Sequence, residues 1–198
     1  MGLLGGTFDP PHFGHLWLAE TAREQLHLDQ VLFLPVGEPP HKEGNRVTAV
    51  SLRLRMTQLA IDHHASFVLD TSDIERPLPH TTCSLIPLIQ TRYPAADLWL
   101  LIGADSLRDF PTWHEPEGII AQCRLGVLAR PGIVLDWAGL ETAVPGLRTA
   151  VDELDGPTMD ISSTAVRRWA KQNYSLRYLV PTAVLEFIRQ HSLYRAAP

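Results

Sequence analysis

Leu3–Glu20 reads LLGGTFDPPHFGHLWLAE, and the reading of this stretch decides the fold. Leu3-Leu4 is the apolar end of a short strand, and Gly5-Gly6 turn the chain. Leu18, Ala19, Ala22 and Leu26 then recur at helical spacing, in a helix opened by Gly14-His15. Strand, glycine turn and helix in that order begin a parallel α/β sheet. Ligands of such sheets bind beyond the carboxyl ends of the strands, where Gly5, Gly6 and the loop after them fall. Glycines let a ligand approach the backbone closely, and the first N–H groups of a helix favour an anion. His12 and His15 bracket Gly14, so both imidazoles can donate to one spot. The turn reads as a phosphate cradle with histidine where a P-loop has lysine, since no G-x-x-x-x-G-K-[ST] occurs in the chain. A glycine-rich turn with capping histidines is the plainer alternative and leaves most of these special residues unexplained.

Outward from this stretch, Val31–Leu34 is a continuous apolar run, as a strand covered on both faces should be. A polar loop, PVGEPPHKEGNR, follows, then a helix from Ser51 with Leu52, Met56, Leu59, Ala60 and His63 on one stripe. Phe67–Leu69, Leu98–Ile102 and Leu125–Leu128 read as further buried strands, with helical patterns between most of them. The fold class is α/β, a three-layer α/β/α sandwich around a parallel sheet. Pro87 places the start of its helix at an N-cap Ser84, because a proline deeper inside breaks a helical bond. Residues 133–158, rich in Gly, Pro and acids, show little pattern. DISSTAVRRWAK starts one later helix, and YLVPTAVLEFIRQH another with Pro181 at its first position. A single domain over 1–198 is expected, its C-terminal helical part from about 159 packed on the rest.

The formal charge of −5 argues against a broad nucleic-acid footprint but allows a phosphate-bearing small substrate. Two cysteines, Cys83 and Cys123, suggest a reducing compartment. With no apolar run of ~18 residues and no leader pattern, the expectation is a cytoplasmic protein without a membrane partner.

Three further constellations carry chemistry. In ISSTAVR, Ser162 is a natural N-cap, Ser163 and Thr164 add hydroxyls, and Arg167 leans back over the same turn. A plain capped helix would look the same in isolation. In EPPHKEG, His41 and Lys42 stand on a proline-stiffened loop at the same sheet edge, where a lysine either binds an anion or is simply solvated. In LLIGADSLRDFPTWHE, Gly103 and Asp105 follow a strand end, where an acid can accept from ribose hydroxyls. Trp113 in that loop is either a plug or a stacking plate, while Trp17, Trp99, Trp137 and Trp169 read as packing. Cys83 and Cys123 lie near no identifiable base.

Together, GGTFDPPHFGH, PPHK, GADSLRDFPTW, ARPG and ISSTAVR resemble the bacterial nicotinate-nucleotide adenylyltransferases over nearly the whole chain. The first and last of these motifs are shared with the wider nucleotidyltransferase superfamily, whereas PPHK and the DSL…FPTW loop point to the pyridine-nucleotide branch. The resemblance implies a Rossmann-like nucleotidyltransferase sheet. It also implies transfer of AMP from ATP to nicotinate mononucleotide, with Mg²⁺ carried by the ATP phosphates. It assigns the phosphates to His12, His15, Lys42 and Arg167. ATP would further meet Gly5, Gly6, Thr7, Phe8, Gly103, Asp105, Ile161, Ser162 and Ser163, and the acceptor Thr82, Trp113 and Arg130. The chain departs from the family at RPLPHTT, usually R-x-G-P-S-Y-T, so that Leu78 replaces Gly and Thr81 replaces Tyr. Asn173 stands at a helix end normally held by Gly. No acid lies between Arg76 and Tyr93, so PHTTCS offers backbone donors to a carboxylate without an acceptor for an amide. Rival readings are a pantetheine-phosphate adenylyltransferase, a metal hydrolase built on Asp62, His63 and His64, and a non-catalytic nucleotide sensor. The oligomeric state is left open.

Overall fold

In the computed structural model, which describes residues 1–37, 47–77 and 80–195, six strands form one sheet. They are β1 (Gly2–Gly6), β2 (Val31–Pro35), β3 (Phe67–Leu69), β4 (Trp99–Gly103), β5 (Arg124–Leu128) and β6 (Val151–Leu154). Their order is β3-β2-β1-β4-β5-β6 and every neighbouring pair is parallel. β1 pairs with β2 along its whole length, from Gly2↔Val31 to Gly6↔Pro35. With β4 it pairs only at Gly2↔Trp99 and Leu3↔Leu100. The strand order reverses at this junction, and beyond Leu3 the two strands part, which opens the crevice that doubly wound sheets use for ligands.

The helices are α1 (Phe13–Gln25), α2 (Val50–Ile61), α3 (Ser72–Glu75), α4 (Thr82–Arg92), α5 (Ala104–Asp109), α6 (Pro116–Ile120), α7 (Trp137–Ala143), α8 (Leu147–Ala150), α9 (Ser163–Lys171) and α10 (Thr182–Gln190). Strand residues alternate between two cores. Leu3, Leu32, Leu34, Leu100 and Ile102 meet Leu85, Ile86 and Ile89 of α4 on one face. Leu4, Val31, Phe33 and Leu101 meet Leu18, Ala19 and Ala22 of α1 on the other. Both faces are apolar because both are covered, which is why the strands read as unbroken runs. A third core joins α9 and α10 to Met56 of α2 through Val166, Val184, Leu185 and Ile188, seating the C-terminal helices beside the sheet.

Several local expectations are corrected. Helix α4 starts at Thr82, not after Ser84, with Pro87 inside it. Thr81 is the N-cap, its Oγ1 accepting the Ser84 N–H at 3.3 Å, while Arg76 donates to the Thr81 carbonyl at 2.9 Å and to Ser84 Oγ at 2.6 Å. Cap, arginine clamp and burial of Leu85, Ile86 and Ile89 outweigh the ~3 kcal/mol that an interior proline costs. Pro87 faces solvent, where a carbonyl deprived of its helical partner can be hydrated. His63 lies past the end of α2 and is exposed; the buried stripe holds Arg53 instead, with Met56, Thr57 and Ile61. Residues 133–158 contain α7, α8 and the edge strand β6, whose Asp152 and Glu153 hid it from an apolar pattern. Pro181 is the N-cap of α10, which therefore starts at Thr182, one residue later than expected. Asn173 adopts φ 57°, the left-handed value that suits Gly or Asn at a helix end.

Candidate active site

His12 is the N-cap residue of α1, and the peptide before it turns sharply enough that Phe8 sits at φ 47°. Phe8 is buried against His15, ring centroids 4.9 Å apart, and against Phe33. His12 and His15 stack at 3.7 Å. A Cβ on Gly14 would stand 3.1 Å from the His12 ring, so glycine is what allows that ring to lie against the helix start. His15 Nδ1 accepts the His12 backbone N–H at 3.2 Å. The proton of the neutral His15 ring therefore sits on Nε2, as a donor for a ligand. Burial, reinforced by the Arg130 charge, pushes His12 down to about 3. Burial holds His15 well below the ordinary histidine value, with His12 and Arg130 adding to the effect. Both rings are thus neutral at pH 7, and each offers one N–H. His12 Nδ1 is buried with no partner among the described residues, an uncommon condition that a ligand would relieve.

The cradle opens into a polar pocket of about 360 Å³ bordered by His12, Gly14, His15, Gly103, Asp105, Trp113, Arg130, Ser162 and Ser163. Ser162 Oγ accepts the Ala165 N–H at 3.2 Å and so caps α9. Ser163 Oγ donates to the Pro10 carbonyl at 2.9 Å. Arg167 donates to the Asp9 carbonyl at 2.7 Å and to Thr164 Oγ1 at 3.2 Å, so α9 clamps the turn from behind. Arg130 pairs with Asp105 at 2.9 Å and donates to the Ile161 carbonyl at 3.1 Å. A Cβ on Gly103 would fall 2.6 Å from Asp105 Oδ1, so only glycine admits that carboxylate.

On the other side of β1 lies an apolar pocket of about 340 Å³, walled by Thr7, Leu34, Val36, Thr82, Leu85 and Trp113 and holding Asp73, Arg76 and His80. Gly5, Leu101, Ile102 and Trp113 border both pockets. A Cβ on Gly5 would meet nothing within 4 Å. Among the described residues no atom requires glycine there, and the vacant space is where a ligand can pass from one pocket to the other. Trp113 leans on Phe110 at 5.3 Å and presents itself to both sides. A wider groove of about 850 Å³ runs past Trp99, Arg124 and Thr149, at the amino-terminal ends of the strands and away from the crevice.

Among the sequence-expected site residues, Lys42 and the departure at Leu78 lie outside the described residues. The others gather at the crevice, except that Phe8 and Arg167 lie behind the turn and Ile161 lines neither pocket, its side chain packing on the third core and its carbonyl accepting from Arg130. The hydrolase cluster does not converge: His64 pairs with Glu20 at 3.0 Å and stacks on Phe67, Asp62 accepts from Gln58 at 2.5 Å, and His63 is exposed. Acids near the cradle are engaged as well, Asp9 with the Tyr194 hydroxyl at 2.6 Å and Asp105 with Arg130. A donor set of imidazoles, guanidinium and helix starts suits an anion, and a metal would reach it on that anion.

The family described as cytidylyltransferase-like matches residues 3–169. A Thermomicrobium roseum protein named "Probable nicotinate-nucleotide adenylyltransferase" is 43% identical over 195 residues, 98% of this chain and 91% of that one. One of the same name from Roseiflexus sp. is 40% identical over 195 residues, 98% of each chain. The chain belongs to the nicotinate-nucleotide adenylyltransferase family. The fold extends to a Plasmodium falciparum nicotinic acid mononucleotide adenylyltransferase solved with NaAD, with a TM-score of 0.79 at 16% identity over 98% of this chain and 96% of that one.

Four features of the chain escape its sequence patterns. Arg53, 2% exposed, donates to the carbonyls of Thr48 at 2.9 Å and of Thr7, Val36 and Gly37 at 2.8 Å each, tying the cradle to the end of β2. An arginine in a helix reads as surface unless its partners are known, and these are backbone atoms remote in sequence. Trp17, read as packing, borders the polar pocket while its Nε1 donates to Pro157 at 2.8 Å. Asp73 enters the apolar pocket from outside the 76–93 window that was read as free of acids. Trp169, also read as packing, is 43% exposed and meets Tyr174 edge-on. Among the described residues no helix is long and apolar enough to cross a membrane.

Proposed function

We propose that this chain transfers AMP from ATP to nicotinate mononucleotide, forming nicotinate adenine dinucleotide and releasing pyrophosphate. The observation that carries this reading is the pair of pockets meeting over Gly5, one furnished for phosphates and one for a flat apolar ring. ATP enters as its Mg²⁺ complex, the ion carried by the phosphates and offsetting their charge. An oxygen of the acceptor phosphate attacks the α-phosphorus, a new P–O bond forms, and the bond to the β-phosphate breaks. A phosphate monoester is mostly dianionic at pH 7, so no residue needs to remove a proton. What remains is alignment and stabilisation of charge on the transition state.

His15 supplies its Nε2–H and His12 its own N–H, both neutral until the phosphate arrives; the anion then favours their protonated forms. Lys42 and Arg167, with Ser162 and Ser163, complete the phosphate contacts, Arg167 also holding the turn through Asp9. Gly103 and Asp105 take the ATP ribose. Thr82 and Trp113 take the nicotinate end, and Arg130, on the wall of the polar pocket, meets the rest of the nicotinate mononucleotide. Placing ring and phosphate of the acceptor in separate pockets leaves its phosphate beside the cradle.

Pyrophosphate release with ATP, Mg²⁺ and each of nicotinate mononucleotide, nicotinamide mononucleotide and phosphopantetheine tests this. A charge-assisted bond contributes about 1.5–3 kcal/mol, so the acid form should be used at least roughly tenfold better than the amide by kcat/KM. Preference for phosphopantetheine would overturn the function.

A further inference from the structure

The ionisable side chains among the described residues of the apolar pocket are Asp73, Arg76 and His80, and they adjoin one another. Arg76 binds Asp73 Oδ1 through Nε at 2.8 Å and also through Nη2. The His80 side chain is 8% exposed, and its Nδ1 faces the same oxygen from 3.9 Å, beyond hydrogen-bond range. The Cε1 and Nε2 atoms of the ring lie 3.7 Å from where a Cβ on Gly37 would be. Nδ1 of His80 and Oδ2 of Asp73 are both buried without a partner among the described residues. Buried polar atoms are nearly always paired. Two orphans side by side, in a pocket whose other walls are mostly apolar, mark an imidazole and a carboxylate that a small movement pairs, with the far side of the ring left to face the pocket.

We propose that His80 is a specificity-determining residue of this pocket, an imidazole oriented by Asp73 that donates, as the cation, to the carboxylate on the acceptor's pyridine ring. This rests on the reading of the pocket as the acceptor's. A small shift brings Nδ1–H onto the Asp73 carboxylate and leaves Nε2 as the ring atom available to a ligand. Nε2 is a donor in the cation and an acceptor in the neutral ring bearing its proton on Nδ1. A carboxylate is served by the first form and the N–H₂ of a carboxamide by the second.

Among the described residues, charge reaches the ring from Asp73 and Arg76 of α3 and its end; Thr81, Thr82 and Leu85 of α4, Gly37 after β2, and Trp113 carry none. An acceptor carboxylate bound at Nε2 favours the cation by its opposite charge. Binding of the acid form therefore brings a proton into the pocket, and preference for acid over amide falls as pH rises.

The test is the ratio of kcat/KM for nicotinate mononucleotide to that for nicotinamide mononucleotide, taken from about pH 6 to about pH 8.5, the range in which histidine changes charge. ATP and the reacting phosphate are common to both reactions and cancel in the ratio. The unaltered protein should lose about tenfold in the ratio over this range, mostly through KM for the acid. His80→Gln, which donates but does not titrate, should flatten the profile, and His80→Ala should lower the ratio about tenfold at the acid end. A flat ratio in the unaltered protein overturns the proposal, and so does an equal loss for both acceptors, the result of a merely structural role. If His80→Ala does not fold, the profile of His80→Gln decides. A protein that uses neither acceptor refutes the acceptor-pocket reading and this inference together; one that uses the acid with a flat ratio refutes His80 alone.

Discussion

The two pockets beside Gly5 are nearly equal in size, about 360 and 340 Å³, and are built in opposite ways. The polar one is made of chain turns and helix starts: His12 and Gly14 at the head of α1, Gly103 at that of α5, Ser162 at that of α9. Its donors are fixed by short-range geometry and need little rearrangement when charge develops. The apolar one is made of core side chains from β1, β2, β4 and α4 around one buried ion pair. Its selectivity depends on shape and on which buried polar atoms a ligand satisfies. The first pocket is suited to stabilising a reacting phosphate, the second to choosing which molecule brings it.

If that division holds, changes in the polar pocket should cost turnover and leave the choice of acceptor alone. The largest effect is expected from His15→Ala, a fall in kcat of about 10²–10³, as for removal of one oxyanion donor. Steady-state pyrophosphate release should show this with an unchanged acid-to-amide ratio, and circular dichroism should show an intact fold. Near wild-type turnover would take His15 out of the mechanism, and a shifted ratio would break the division between the pockets.

Next come Arg167→Ala and Lys42→Ala, each expected to lower kcat/KM for ATP about ten- to a hundred-fold. Arg167→Lys should recover little, because one ammonium cannot reproduce the two directed contacts to Asp9 and Thr164. Unaltered ATP kinetics in Lys42→Ala would return that residue to solvent.

A separate effect, on stability and not on turnover, is expected in acid. His12 and His15 are both depressed in the folded state, so below about pH 6.5 the unfolded chain takes up protons that the folded chain refuses. Their contribution to stability is complete above that pH and is lost as pH falls from there toward about 3. The loss is at most about 1.4 kcal/mol per pH unit for His12, with His15 adding in the same direction, read from denaturant midpoints between about pH 6 and pH 4. His15→Ala should lessen the slope, and an unchanged slope would show that other groups carry it. A bound phosphate analogue, which favours the protonated histidines in the folded state, should flatten the profile.

What the sequence determined by itself is what neighbours along the chain decide. The strand–turn–helix opening, the histidines about Gly14 and the Ser162 cap depend on contacts a few residues apart, and local composition records such contacts. The runs of β2, β4 and β5 were legible because a strand covered on both faces must be apolar along its length. Only the tertiary structure decided the rest. Ser163 meets Pro10 across 153 residues and Arg167 meets Asp9 across 158, and that meeting makes two motifs one site. Edge strand β6 could keep its acids because it has one neighbour, and α4 could keep Pro87 because a cap and a core outweighed it. Arg53 and Asp73 look like surface charges in sequence and are buried in the fold. Whether a charged side chain can leave water depends on the partners that meet it, and here those partners are backbone carbonyls drawn together from separate elements for Arg53 and the Arg76 guanidinium for Asp73, which only the packed chain brings into place.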